Sequence, residues 1–357
     1  MNSSSFQPLN GKPNVSITGS HFIEPGASKV VRLVVFSVTI IASLIGNSLV
    51  LKTVLELPRR YKPFTYYLVA NLAVAEIISS ICLPFTMVYY ETYSWNFGQF
   101  TCRLIIPLQV MAITVVTSDM AAIAVYRYRV MTFPVKKQVK ISIMVAVIGG
   151  LWFAALALSL PLAATRILVE LPSGHKVCKS NFSTSDQKIY NIVRFVLSYL
   201  IPYLVMICSY GAVAVKLRRR QLRRSVDEAS EITMTTSASR SNSYADPRAA
   251  IYVRPRAASN LNSRSGQTSN VELERDLLRM IYVIILSFVL CYIPYQALLL
   301  WEYFAGVDGR YLFPYQRMLR RYFYALTCYP SALHPLCYGT MNRFFAQAFS
   351  KIVMCRR

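Results

Sequence analysis

Seven long apolar runs constrain this chain more than anything else in it. They fall near residues 30-56, 64-90, 101-131, 141-165, 189-216, 276-303 and 321-340. Each reaches the roughly 20 residues needed to cross a hydrocarbon layer about 30 Å thick. Over the 357 residues, 54% are apolar and 15% charged, a balance too oily for one soluble domain. The expected fold is an all-α membrane protein, a seven-transmembrane helix bundle. The first 28 residues are polar and lack a basic stretch followed by an apolar core, so no cleavable signal peptide is expected.

Charge in the connections sets the orientation, because Lys and Arg near span ends stay on the cytoplasmic side. Arg59, Arg60 and Lys62 follow the first span, Lys136, Lys137 and Lys140 the third, and Lys216, Arg218, Arg219, Arg220, Arg223 and Arg224 the fifth. Those loops face inward and the N-terminus outward, as expected of a multi-pass plasma-membrane protein. Glycan acceptor sequences at Asn2, Asn14 and Asn181 all fall on the outer side. The net charge of +23 is explained by orientation and contact with anionic lipid, with no nucleic acid required. Cys82, Cys208, Cys291, Cys328 and Cys337 lie within spans as small apolar residues. Cys102 and Cys178 hold outer positions, where an oxidising compartment lets them join as a disulfide. Cys355, after an amphipathic stretch, is a candidate for palmitoylation.

The organisation that follows has five parts. Residues 1-28 form a glycosylated tail and 29-217 the first five spans. Residues 218-272, dominated by Ser, Arg, Asn and Thr, read as a disordered inner loop open to kinases. Residues 273-341 hold the last two spans. In 342-357, Phe344, Phe345, Ala348 and Phe349 fall on one helical face, which suits a short amphipathic eighth helix at the interface.

A family likeness is carried by residues spread over nearly the whole chain. They are "GNSLV" with Asn47 in span 1, "NLAVAE" in span 2, Cys102 and "YRY" in span 3, and Trp152 in span 4. Pro202 and Tyr210 stand in span 5, "FVLCYIPY" in span 6 and "HPLCY" in span 7. In that order the set resembles rhodopsin-like G-protein-coupled receptors, and "WNFGQFTC" with Gln109 is most similar to the neuropeptide Y and RFamide group. The resemblance implies a peptide ligand outside and a heterotrimeric G protein inside, with kinases and arrestin as further partners. No cofactor is implied. Span 7 has no lysine to carry a retinal Schiff base, and Gln109 has no charge with which to hold an amine.

An arginine at the inner end of a span needs a partner or a route to water. Tyr126 precedes Arg127 where relatives usually place an acid, but Glu274 stands at the inner end of span 6, twenty residues before Pro294. The resemblance implies a resting Arg127–Glu274 bridge, broken when span 6 swings outward, with Tyr210 and Tyr338 then turning in to support Arg127. Phe288, Tyr292 and the kink at Pro294 would transmit the movement, and Pro335 stands in the corresponding motif of span 7. Ordinary core packing is the competing account of the two aromatics.

Intramembrane ionisable groups are functional candidates. Glu76 replaces the aspartate at which relatives bind sodium. Val116 and His334 replace other residues of that site, so Asn47, Glu76 and His334 are expected to form a hydrogen-bonded cluster instead. Asp119 is expected to face Asn71 and Trp152. The ligand cavity implied by the resemblance is lined by Gln109, Arg194, Tyr295, Gln296, Leu299, Arg320 and Tyr324, with Glu91 and Glu302 at its rim. Those acids suit an arginine of the ligand, whereas Arg194, Arg317, Arg320 and Arg321 suit an acidic peptide or a free C-terminus. Both remain open. So do two other readings, a proton-sensing receptor gated through Glu76 and His334 and a non-coupling scavenger receptor. An enzyme or channel is disfavoured: the three histidines make no HExxH motif, and buried polar residues are too few for a pore.

Overall fold

The computed structural model describes residues 24–57, 64–133, 139–172, 174–241, 282–302, 304, 315–341 and 343–354. Asn2, Asn14, Glu274 and Cys355 lie outside them. Helices α1 (Gly26–Glu56), α2 (Phe64–Thr92), α3 (Gly98–Thr132) and α4 (Ile141–Thr165) are followed by an antiparallel hairpin of β1 (Arg166–Glu170) and β2 (Lys176–Ser180). The fifth crossing consists of α5 (Thr184–Phe195), a π-helical turn (Val196–Leu200) and α6 (Ile201–Ser241). Then come α7 (Tyr282–Glu302), α8 (Gln316–Leu326), α9 (Tyr329–Met341) and α10 (Arg343–Val353). Among the described residues six helices are long and apolar enough to span a membrane. The seventh crossing is α8 and α9 together.

Apolar side chains cover the outside of the bundle as well as its core. On α1, Val30, Val34, Val38, Ile41 and Ile45 are each more than half exposed, while Ser43 and Asn47 are buried. Apolar residues at helical spacing on the outside, with polar ones within, suit a lipid surround. Gly46 is required at the crossing of α1 with α9, because a Cβ there would stand 2.6 Å from Cβ of Pro335. Pro335 also has no N–H for the carbonyl four residues back, that of Ser331. Asn47 supplies the missing donor, its Nδ2 reaching the Ser331 oxygen at 3.0 Å.

Two departures from the sequence expectation have local causes. The seventh crossing begins at Gln316 rather than 321 and is interrupted after Leu326. The ring of Pro330 conflicts with the carbonyl of Leu326 four residues earlier, whereas a proline in the first turn of α9 is tolerated. Residues 218–241, expected to be disordered, continue α6 as helix to Ser241. The stretch "KLRRRQLRRSVDEASEI" has no Gly or Pro and is rich in strong helix formers, so propensity sustains it without an apolar stripe. Upstream, the π turn has the Ile201 N–H bonded to the Val196 carbonyl, a wider ring that absorbs the proline at 202.

Candidate functional site

At one end of the bundle the hairpin is fastened to α3. Cys102 is disulfide-bonded to Cys178 of β2, their Cα atoms 5.8 Å apart, and the fully buried Trp95 packs in the same cluster. The Trp95 N–H donates to the Lys176 carbonyl at 2.6 Å. Gln99 Oε1 accepts the Leu168 N–H at 2.6 Å. Gly98, at a φ of 86°, makes the turn into α3 that a Cβ would resist.

Beside the hairpin opens a cavity of about 920 Å³, within the range of small-molecule and peptide-end sites. Gln109, Arg194, Tyr295 and Gln296 line it, as do Leu299, Glu302, Arg320 and Tyr324. The tyrosines are held in place by hydrogen bonds. Gln109 Nε2 donates to the Tyr324 hydroxyl at 2.9 Å, Thr86 also meets that hydroxyl, and the hydroxyls of Tyr90 and Tyr295 are 2.7 Å apart.

Of the two acids expected at the rim, Glu302 lines the cavity and Glu91 does not. Glu91 bonds Arg32 and lies 3.6 Å from Lys29, while Arg32 also bonds Glu24 through two nitrogens at 3.0 and 2.8 Å. Arg321 belongs to the same cluster, with Nε on the Tyr90 carbonyl at 3.0 Å. Glu302 does line the cavity but is already neutralised, accepting Gln316 Nε2 at 2.8 Å and a nitrogen of Arg320. Arg317 stacks over the Tyr93 ring at 5.3 Å.

From the cavity a chain of rings leads inward. Tyr292 lines the cavity and stacks on Phe288 with centroids 4.1 Å apart, and Phe288 stacks on the His334 ring at 6.4 Å. His334 Nδ1 lies 3.0 Å from Glu76 Oε1, both side chains being almost wholly buried, although the approach is not aligned as a hydrogen bond. Ser331 donates to the other Glu76 oxygen. Asn47 is not a direct member of this cluster; it bonds Ser43 and the Ser331 carbonyl. Asp119 accepts Asn71 Nδ2 at 3.2 Å, and Asn71 accepts Trp152 Nε1 at 2.8 Å, which joins α2, α3 and α4. No group of three His, Cys, Asp or Glu among the described residues is placed to hold a metal.

At the opposite end Arg127 has Tyr66, Tyr126, Tyr210 and Tyr338 within electrostatic reach. Its Nε is buried without an acceptor, as is the Tyr210 hydroxyl. Among the described residues no carboxylate pairs with it, and Glu274, its expected partner, is not one of them.

The chain matches the family model of the 7 transmembrane receptor (rhodopsin family) over residues 46–338. It belongs to that family. The family is one of receptors rather than enzymes. This receptor is 23% identical over 339 residues to neuropeptide Y receptor type 2 of Homo sapiens, covering 92% of this chain and 77% of that one. The Gallus gallus receptor of the same name is 28% identical over 199 residues, covering 53% and 51%. Tachykinin-like peptides receptor 99D of Drosophila melanogaster is 23% identical over 349 residues, covering 94% and 59%.

Arg166, Lys179, Lys188 and Asn191 also line the receptor's cavity, though no motif marks them. Their signal is positional. Lys179 adjoins the disulfide cysteine, and Lys188, Asn191 and Arg194 recur at intervals of three on α5, one above another on a helical face.

Proposed function

We propose that this receptor lies in the plasma membrane with its N-terminus and disulfide end outside, binds an extracellular peptide in the 920 Å³ cavity, and activates a heterotrimeric G protein at the Arg127 end. The observation that carries the reading is the stacked line from the cavity to the bundle centre, Tyr292 on Phe288 and Phe288 on His334. A ligand that prefers one position of Tyr292 has a packed path by which to favour one helix arrangement over another. Outward movement of α7 would then open the crevice at Arg127, where Tyr210 has an unsatisfied hydroxyl to offer. Peptide recognition by the named relatives, tyrosine and glutamine in the cavity, and the hairpin roof all support the peptide reading. Glycans on Asn2, Asn14 and the exposed Asn181, a lipid on Cys355, and kinase and arrestin contacts inside belong to the same proposal.

Proton gating through Glu76 and His334 has their 3.0 Å approach in its favour. Both groups are buried, however, and Phe288 and Tyr292 stack between His334 and the cavity. The test is G-protein activation in cells expressing the receptor, challenged with a neuropeptide panel at external pH 6 and 7.5. A peptide response at both values is expected. A response to acid alone, lost in His334→Asn, would replace the peptide reading with the proton one.

A further inference from the structure

Charge in the cavity is lopsided. Arg166, Lys179, Lys188, Arg194 and Arg320 line it against one carboxylate, that of Glu302, which Arg320 and Gln316 already occupy. Glu91 is consumed by Arg32 and Lys29 elsewhere. Among the described residues no carboxylate lies within pairing distance of Lys179, Lys188 or Arg194. The tail cannot bring one from residues 1–23, which contain no Asp or Glu.

One further side chain singles out a place. Asn191 is 5% exposed, lines the cavity, and has its Nδ2 buried without an acceptor. It sits midway between Lys188 and Arg194 on one face of α5. A buried donor is costly when left unmet, and an oxygen from a ligand would meet it. Two cations flanking an unmet amide donor form a set with donors to spare and, among the described residues, no free carboxylate, complementary to an oxyanion.

We propose that the Lys188, Asn191 and Arg194 face of α5, with Lys179 of β2, is a subsite for a carboxylate of the ligand, so that the peptide is acidic or ends in a free C-terminus. This rests on the peptide reading above and reverses the alternative in which rim acids receive a ligand arginine. Arg194 carries the planar fork that a carboxylate fits through two nitrogens, and the lysines add charge without directional demand. The same charge draws an anionic ligand toward the cavity mouth and makes capture weaken with salt.

The test uses full-length receptor in nanodiscs and a synthetic heptapeptide library in four matched pools. Members carry either Asp and Glu or Asn and Gln, and each pool is made as free acid and as C-terminal amide. Retained peptides are read by mass spectrometry. The pools with a carboxylate should be enriched at least tenfold over the neutral amide pool. If only the free-acid pools are enriched, the carboxylate is terminal; if the Asp and Glu pools are enriched even as amides, it is a side chain. Arg194→Gln with Lys188→Gln should erase the enrichment, and Arg194→Lys should keep part of it. Thermal unfolding of each variant confirms that it is folded. Equal retention of the neutral amide pool, or enrichment unchanged in the double variant, would overturn the subsite while leaving the peptide reading intact. Retention of no peptide, together with Arg194-dependent stabilisation by a small dicarboxylate such as glutarate, would keep the subsite and overturn the peptide reading. Neither effect would overturn both.

Discussion

His334 Nδ1 lies 3.0 Å from Glu76 Oε1 at the centre of the bundle, where the two side chains are 0% and 2% exposed. An imidazole of the protein thus stands against Glu76. Exchange of sodium for choline in the bathing medium should therefore change agonist affinity by less than about twofold, an energy of RT ln 2 or roughly 0.4 kcal/mol. A tenfold sodium effect in radioligand binding would show that an ion reaches Glu76 after all.

Gly46 meets Pro335 at a distance no side chain fits, with Cβ contacts of 2.6 and 2.8 Å. Gly46→Ala must push α1 away from α9, and overpacking of this kind costs about 1–3 kcal/mol. The melting temperature of the purified receptor should fall, and Asn47→Ala should lower it too by orphaning the Ser331 carbonyl. Unchanged melting in Gly46→Ala would mean that the crossing is looser than described.

Glu302 and Arg320 join α7 to α8 across the cavity wall. Removing either partner leaves a charge with reduced solvent access, so each single change, Glu302→Ala or Arg320→Ala, should reduce surface expression and thermal stability more than the pair removed together. A double-mutant cycle should give a coupling of roughly 0.5–3 kcal/mol, and strict additivity would deny the pairing.

Burial pushes the Glu24 carboxyl up, but hydrogen bonds from Arg32 and Tyr322, with the charges of Arg32 and Arg321, outweigh it and leave the group below its ordinary 4.5. A carboxyl lowered in the folded state stabilises above its unfolded value and ceases to do so as pH falls through the folded one. The melting difference between native receptor and Glu24→Gln should therefore be the same at pH 7.5 and 6 and shrink only below about pH 4.5. Shrinkage between pH 7.5 and 6 would contradict the sign.

Much of the fold was legible because lipid imposes a plain rule: apolar runs of spanning length mark the crossings, six of them as helices long enough to span and the seventh as a run that the structure divides into α8 and α9. The disulfide was legible because Cys102 and Cys178 are the two cysteines at outer positions. Pairings across the bundle were not. Glu302 was one of two acids open to a ligand arginine, and its pairing with Arg320, eighteen residues later, carried no sequence signal. No periodicity reveals which helix ends meet. Asn47 was grouped with Glu76 and His334, whereas Pro335 leaves the Ser331 carbonyl for it to bond. The helix through Ser241 escaped notice because it rests on propensity rather than on an apolar stripe. Lys179, Lys188 and Asn191 carried no motif and became visible only as the wall of one cavity.

The central claim, that a peptide acts from within this cavity, is tested most directly by filling the cavity. Leu299 lines it, whereas Leu290 on the same helix is 60% exposed. Receptors with Leu299→Cys or Leu290→Cys would be treated with a bulky membrane-impermeant methanethiosulfonate, with the unsubstituted receptor as control, and peptide-stimulated G-protein activation measured before and after. Labelling at position 299 should abolish the response while the Leu290→Cys and unsubstituted receptors respond as before. A full response after complete labelling at 299 would contradict the account.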